Sequence, residues 1–81
     1  MGVLVDIEKN EIYISLNKEF YDIQAIKEAI MDFEEICDGE LNEDLKNYNL
    51  TLKLKEQNDL CSIGYEFCNY VLGLMKNEYL I

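Results

Sequence analysis

The chain has 81 residues, 49% of them hydrophobic, and a formal net charge of -10 from 17 acidic and 7 basic residues, all lysines, with no His, Arg, Trp or Pro. Without His it lacks the commonest metal ligand and the one side chain that titrates near neutrality unperturbed. Without Arg, and with so negative a field, it is poorly suited to bind nucleic acid or anionic membrane.

Val3, Val5 and Ile7 alternate with Leu4, Asp6 and Glu8, the pattern of a half-buried strand. Lys9-Asn10 reads as a two-residue turn, because Asn tolerates positive φ. Ile12, Ile14 and Leu16 then alternate with Tyr13 and Ser15 as the return strand of a hairpin. After a turn over 17–21, Asp22 is placed to cap a helix by accepting from the free amides of its first turn. Ile23, Ile26, Ile30, Phe33 and Cys37 follow at helical spacing, and Gly39 reads as the residue that ends the helix. Lys27, Glu28, Asp32 and Glu35 give that helix a wet face.

The stretch 40–49 has Leu41, Leu45 and Tyr48 as its strong anchors. It reads either as a charged edge strand, guarded against aggregation, or as a long loop. Leu50 to Lys55 alternates again and is a strand. A second helix begins near Asn58-Asp59. Leu60, Ile63, Gly64, Phe67, Val71 and Leu74 form one apolar stripe along it, and Cys61, Tyr65, Cys68, Leu72, Met75 and Tyr79 form a second. An ordinary two-layer helix buries one stripe only. The second stripe therefore needs a cover, either the first helix or a partner.

These elements predict one small α+β domain over 1–81. It has a three- to four-stranded sheet in the order ββα(β)βα, with two helices packed on one face. The core is expected to hold Ile26, Ile30, Phe33, Leu52, Ile63, Phe67 and Val71. The other sheet face would carry Tyr13, Ser15, Thr51, Lys53 and Lys55 toward water.

Three cysteines, an odd number, suit a reducing compartment better than a secreted disulfide scaffold. Cys61 and Cys68 are two helical turns apart, about 10.5 Å, too far for the roughly 7 Å limit of a disulfide. The free thiols read as small buried hydrophobes. A redox or metal role for Cys37 with a helix-two cysteine is the competing reading, without short Cys-x-x-Cys spacing to support it. No catalytic set appears, since there is no His for a Ser-His-Asp triad and no glycine-rich phosphate loop. The run 38–44 resembles a calcium loop in composition only, because the twelfth position from Asp38 is Asn49 rather than Glu. No catalytic residue, metal ligand or cofactor is expected, and no apolar run reaches the roughly 18 residues of a membrane span. The segment 1–6 has neither a basic stretch nor a long apolar run, so it reads as part of the fold rather than a secretory signal, and the expected location is cytoplasmic.

Phe20-Tyr21, Ala25-Ile26, Ala29, Phe33 and Cys37, then Leu50 to Lys55, then Glu66-Phe67-Cys68-Asn69-Tyr70-Val71-Leu72 follow one another in an order that resembles the small HxsD proteins of the His-Xaa-Ser system. The resemblance runs from Phe20 to Met75. The chain departs from that Arg-rich family in having no Arg, and the basic residue after Asn69 is Lys76. What the resemblance implies is a non-catalytic accessory protein linked to radical-SAM maturation of a ribosomally made peptide. Its partner would be that peptide, a radical-SAM enzyme or another protein. It implies Glu66, Phe67 and Asn69 as a characteristic helix patch. With the second stripe, this gives Tyr65, Glu66, Cys68, Asn69, Leu72, Met75 and Tyr79 as the expected partner-binding residues. A homodimer through the same stripe is the alternative.

Overall fold

A computed structural model describes the backbone of residues 2–79 and the side chains of residues 2–76. Strand β1 (Gly2–Asp6) pairs antiparallel with β2 (Glu11–Asn17). The turn between them takes four residues rather than the expected two. The cause is local: the Asp6 carboxylate accepts from the Lys9 amide at 3.1 Å, so the strand closes before Ile7. Ile7 is therefore a turn residue and 79% exposed. Asn10 has φ 56, the left-handed conformation that Asn tolerates. Its side-chain amide donates to the Glu56 carbonyl at 3.0 Å, and the Leu54 amide donates to its own carbonyl at 3.0 Å. The first turn is thus tied to the exit of the last strand.

Helix α1 (Ile23–Asp32) starts on Asp22, whose carboxylate accepts from the Ala25 amide at 3.2 Å, as expected. It ends earlier than the expected Cys37. Phe33 leaves helical geometry at φ -95, ψ 4, and the amides of Ile36 and Cys37 both donate to the Phe33 carbonyl. Glu34 and Glu35 follow at the helix's negative end, and its last turn holds no cation to offset them, so continued helix is disfavoured there. Gly39 is not a helix cap. It lies inside strand β3 (Cys37–Glu43), where a Cβ would stand 2.9 Å from Ile30 Cγ2. The glycine lets α1 sit close to the sheet.

The stretch left open between strand and loop is thus mostly strand. β3 pairs antiparallel with β4 (Asn47–Leu54), which begins three residues before the expected Leu50. Asp44 builds the connecting turn: its Oδ1 accepts from the amides of Lys46 and Asn47, both at 2.8 Å. Leu45, expected as an anchor, sits in this turn and is 97% exposed. Leu41 and Tyr48 do pack against the core.

The sheet is open, four-stranded and antiparallel, in the order β1-β2-β4-β3. Helix α2 (Leu60–Tyr79) starts after Asp59, whose carboxylate accepts from the Ser62 amide. Both helices cover one sheet face, giving the α+β architecture read from the sequence. Ile26, Phe33, Leu52, Ile63, Phe67 and Val71 are buried there with Ile12, Ile14, Leu16 and Leu50, while Ile30 is only half-buried. The helices meet through Phe33, whose ring stands edge-on to Phe67 at 5.1 Å and to Tyr70 at 5.3 Å. The open face carries Leu4, Tyr13, Thr51 and Glu40 in one cross-strand row.

Candidate functional site

Helix α2 lies along β1 and β2, and Gly64 sets the separation. A Cβ on Gly64 would stand 2.8 Å from Val3 Cγ1 and 3.2 Å from Ile12 Cγ2. On the other side of the helix, Tyr70 donates its hydroxyl proton to the Asp32 carboxylate of α1. That bond holds the Tyr70 phenol above its ordinary pKa, because losing the proton would put two anions together. At 100° per residue, Cys61, Tyr65 and Leu72 fall on the flank remote from Tyr70. At the start of that flank Cys61 lines a cavity with Val5 of β1, the edge of the sheet.

The expected partner-binding residues separate on this framework. Tyr65 is 54% exposed and Leu72 41% exposed, Asn69 is exposed beside them, and Glu66 is exposed further round the helix toward Tyr70. Met75 is half-buried and packs against the core. Cys68, expected on the binding stripe, turns inward and is 2% exposed. The Tyr79 side chain lies outside the described residues. The second stripe is thus neither wholly core nor wholly surface: Cys61, Tyr65 and Leu72 face water, while Cys68 and Met75 face in.

The thiols follow the same division. Cys37 and Cys68 are buried and Cys61 is exposed, and all three are free. Burial pushes the Cys37 thiol up, with Asp38 adding to it and Lys55 opposing; burial also pushes Cys68 up. A raised pKa keeps a thiol protonated and a poor nucleophile. No group of three His, Cys, Asp or Glu side chains placed to hold a metal occurs among the described residues.

A cavity of about 460 Å³ opens where β1 ends and α2 begins, lined by Val5, Ile7, Asn10, Asp59, Leu60 and Cys61 among others. Its volume is in the range of small-molecule or side-chain pockets. As a cavity it is not legible in the sequence. Its one legible signal was Ile7, an apolar residue too near the turn to be covered. Comparison with family models, with curated proteins and with solved structures gave no match for this chain.

Proposed function

We propose that this chain is a non-catalytic binding module that docks a protein or peptide partner on the outer flank of α2. Tyr65 and Leu72 supply the apolar contact, and Glu66 and Asn69 supply its polar rim. The observation that carries this reading is the exposure of Tyr65 and Leu72 on a helix whose first apolar stripe is already covered. Aromatic residues ringed by polar groups are the usual composition of an interface centre. The resemblance to HxsD proteins adds the class of partner: a radical-SAM enzyme or the peptide it matures. A cytoplasmic location agrees with three free cysteines.

The test compares tagged wild type with Tyr65→Glu and Leu72→Glu in co-purification from the native host. Both positions are exposed enough that the variants should melt at the wild-type temperature. Loss of the same partner from both variants is the expected result. A partner retained equally by both variants would refute docking at this flank. Sedimentation of the purified chain separates the homodimer alternative, which predicts a dimer that each substitution dissociates.

A further inference from the structure

The two edges of this sheet are built differently. β3 carries Asp38, Glu40, Asn42 and Glu43, and its carboxylates face lysines: Glu43 is 3.3 Å from Lys18, Glu40 is 3.5 Å from Lys53, and Asp38 is 3.8 Å from Lys55. Charge along an edge discourages a further strand from pairing with it. β1 reads Gly2-Val3-Leu4-Val5-Asp6, with a single charge at one end and with Leu4 71% exposed. Among the described residues no strand pairs with its outer side. The backbone donors and acceptors along that side are therefore available, beside apolar side chains and without the guard that β3 has.

Two neighbouring features say what would lie there. Gly64 of α2 stands against Val3 of this edge, and the cavity lined by Val5, Ile7, Leu60 and Cys61 opens at its end. An added strand would turn every second side chain toward the inner face, beside α2 and into that cavity. The intervening side chains would lie beside Leu4 and Asp6 on the open face. Asp6, Glu8 and Asp59 lie at this end of the molecule with one lysine, Lys9, and among the described residues none of these three carboxylates is ion-paired with a lysine. A second copy of the chain would add ten more negative charges to the same region.

We propose that an extended polypeptide segment, with apolar residues at alternate positions and lysine or arginine between them, adds to the sheet along the outer edge of β1. Main-chain hydrogen bonds would set its position, and the inner pockets would select its apolar residues. This deepens the binding-module reading, on which it rests, by naming the class of segment and the surface that takes it.

The experiment uses three acetylated, amidated heptapeptides: alternating Lys and Val, the same peptide N-methylated at every residue, and alternating Glu and Val. Binding is followed by titration, and hydrogen exchange of the β1 amides is read by NMR. The Lys-Val peptide is expected to bind and to slow exchange at every second β1 amide. N-methylation removes ladder donors and should weaken binding about tenfold or more. Leu4→Lys, at an exposed position, should lose the peptide while melting as wild type does. Binding without β1 protection, or equal binding of the N-methylated peptide, would mean charge attraction alone and overturn the proposal. Equal binding of the Glu-Val peptide, no binding of any peptide, or β1 amides protected by self-association before peptide is added would overturn it too. If the β1 edge takes no strand but the native partner is still lost on Tyr65→Glu, the edge inference fails and the module reading stands.

Discussion

Two glycines in one helix should respond oppositely to the same methyl group. Gly64 and Gly73 both lie inside α2. Replacing an interior helical glycine by alanine stabilises by about 0.8–1 kcal/mol through propensity alone. At Gly73 nothing lies within 4 Å of the new Cβ, so Gly73→Ala should show that gain undiminished. At Gly64 the Cβ meets Val3 Cγ1 at 2.8 Å and Ile12 Cγ2 at 3.2 Å. Ile12 is fully buried on a central strand and has nowhere to go; Val3, on the edge strand, can recede. Overpacking of this kind costs about 1–3 kcal/mol, which equals or exceeds the propensity gain. Gly64→Ala should thus come out neutral to about 2 kcal/mol destabilising. The difference between the two variants, about 1–3 kcal/mol, isolates the packing of α2 on β1. Urea unfolding followed by circular dichroism measures it, and thermal midpoints should separate by about 4–8 °C per kcal/mol in a chain of this size. Equal stabilisation by both substitutions would refute the close approach of α2 to β1.

Phe67→Ala should destabilise by about 3–5 kcal/mol, since the ring is fully buried against Phe33; a loss under about 1 kcal/mol in the same urea assay would place Phe67 outside the core. Hydrogen bonds from the Lys46 and Asn47 amides hold the Asp44 carboxyl below its ordinary pKa, so its stabilising effect is complete above the ordinary carboxylate range and is lost as pH falls through the depressed value. Melting curves of wild type and Asp44→Ala should therefore differ at neutral pH and converge in acid; a constant offset across that range would contradict the turn assignment. Of the three thiols, Cys61 alone should react quickly with a thiol reagent in the folded protein, and unfolding midpoints with and without reductant should agree.

Most of the architecture was legible because alternation and helical spacing are strong local signals. Ile12, Ile14 and Leu16, and the stripe from Leu60 to Val71, lie where the pattern puts them. The end of α1 was not legible. Phe33 and Cys37 continue the helical spacing, yet both are buried because the chain turns back there into β3. Four-residue spacing across a turn and across a helix looks alike in sequence. Gly39 misled for a related reason: a glycine needed for close approach cannot be told from a glycine needed for a cap. The second stripe of α2 shows a different limit. Periodicity says that Cys61, Tyr65, Cys68, Leu72 and Met75 share a side, but not where burial stops across it. That boundary depends on how far α2 is rolled onto β1, which Gly64 sets through contact with Val3 and Ile12.

The distribution of charge gives the two sheet edges different solution behaviour. Exposed ion pairs contribute little stability, about 0–1 kcal/mol each, so the three lysine-carboxylate pairs beside β3 are not needed to hold the fold. Their effect is local: Lys18, Lys53 and Lys55 offset the charge of β3, while Asp6, Glu8 and Asp59 outnumber the single Lys9 and leave the β1 end net negative. A cationic segment approaching β1 is therefore attracted before it makes any main-chain contact. At 0.01 M salt the screening length is about 30 Å, longer than two of this protein's dimensions of 26 and 16 Å, so the whole charge of -10 contributes. At 0.15 M it is about 8 Å, and only the carboxylates around β1 remain in reach. Association with the Lys-Val peptide should accordingly slow steeply over that interval, with the dissociation rate, set by the ladder and the pockets, changing far less. Stopped-flow kinetics at the two salt concentrations read both rates. A salt effect confined to dissociation would show that the charges act within the bound contact, and that the β1 end exerts no steering field.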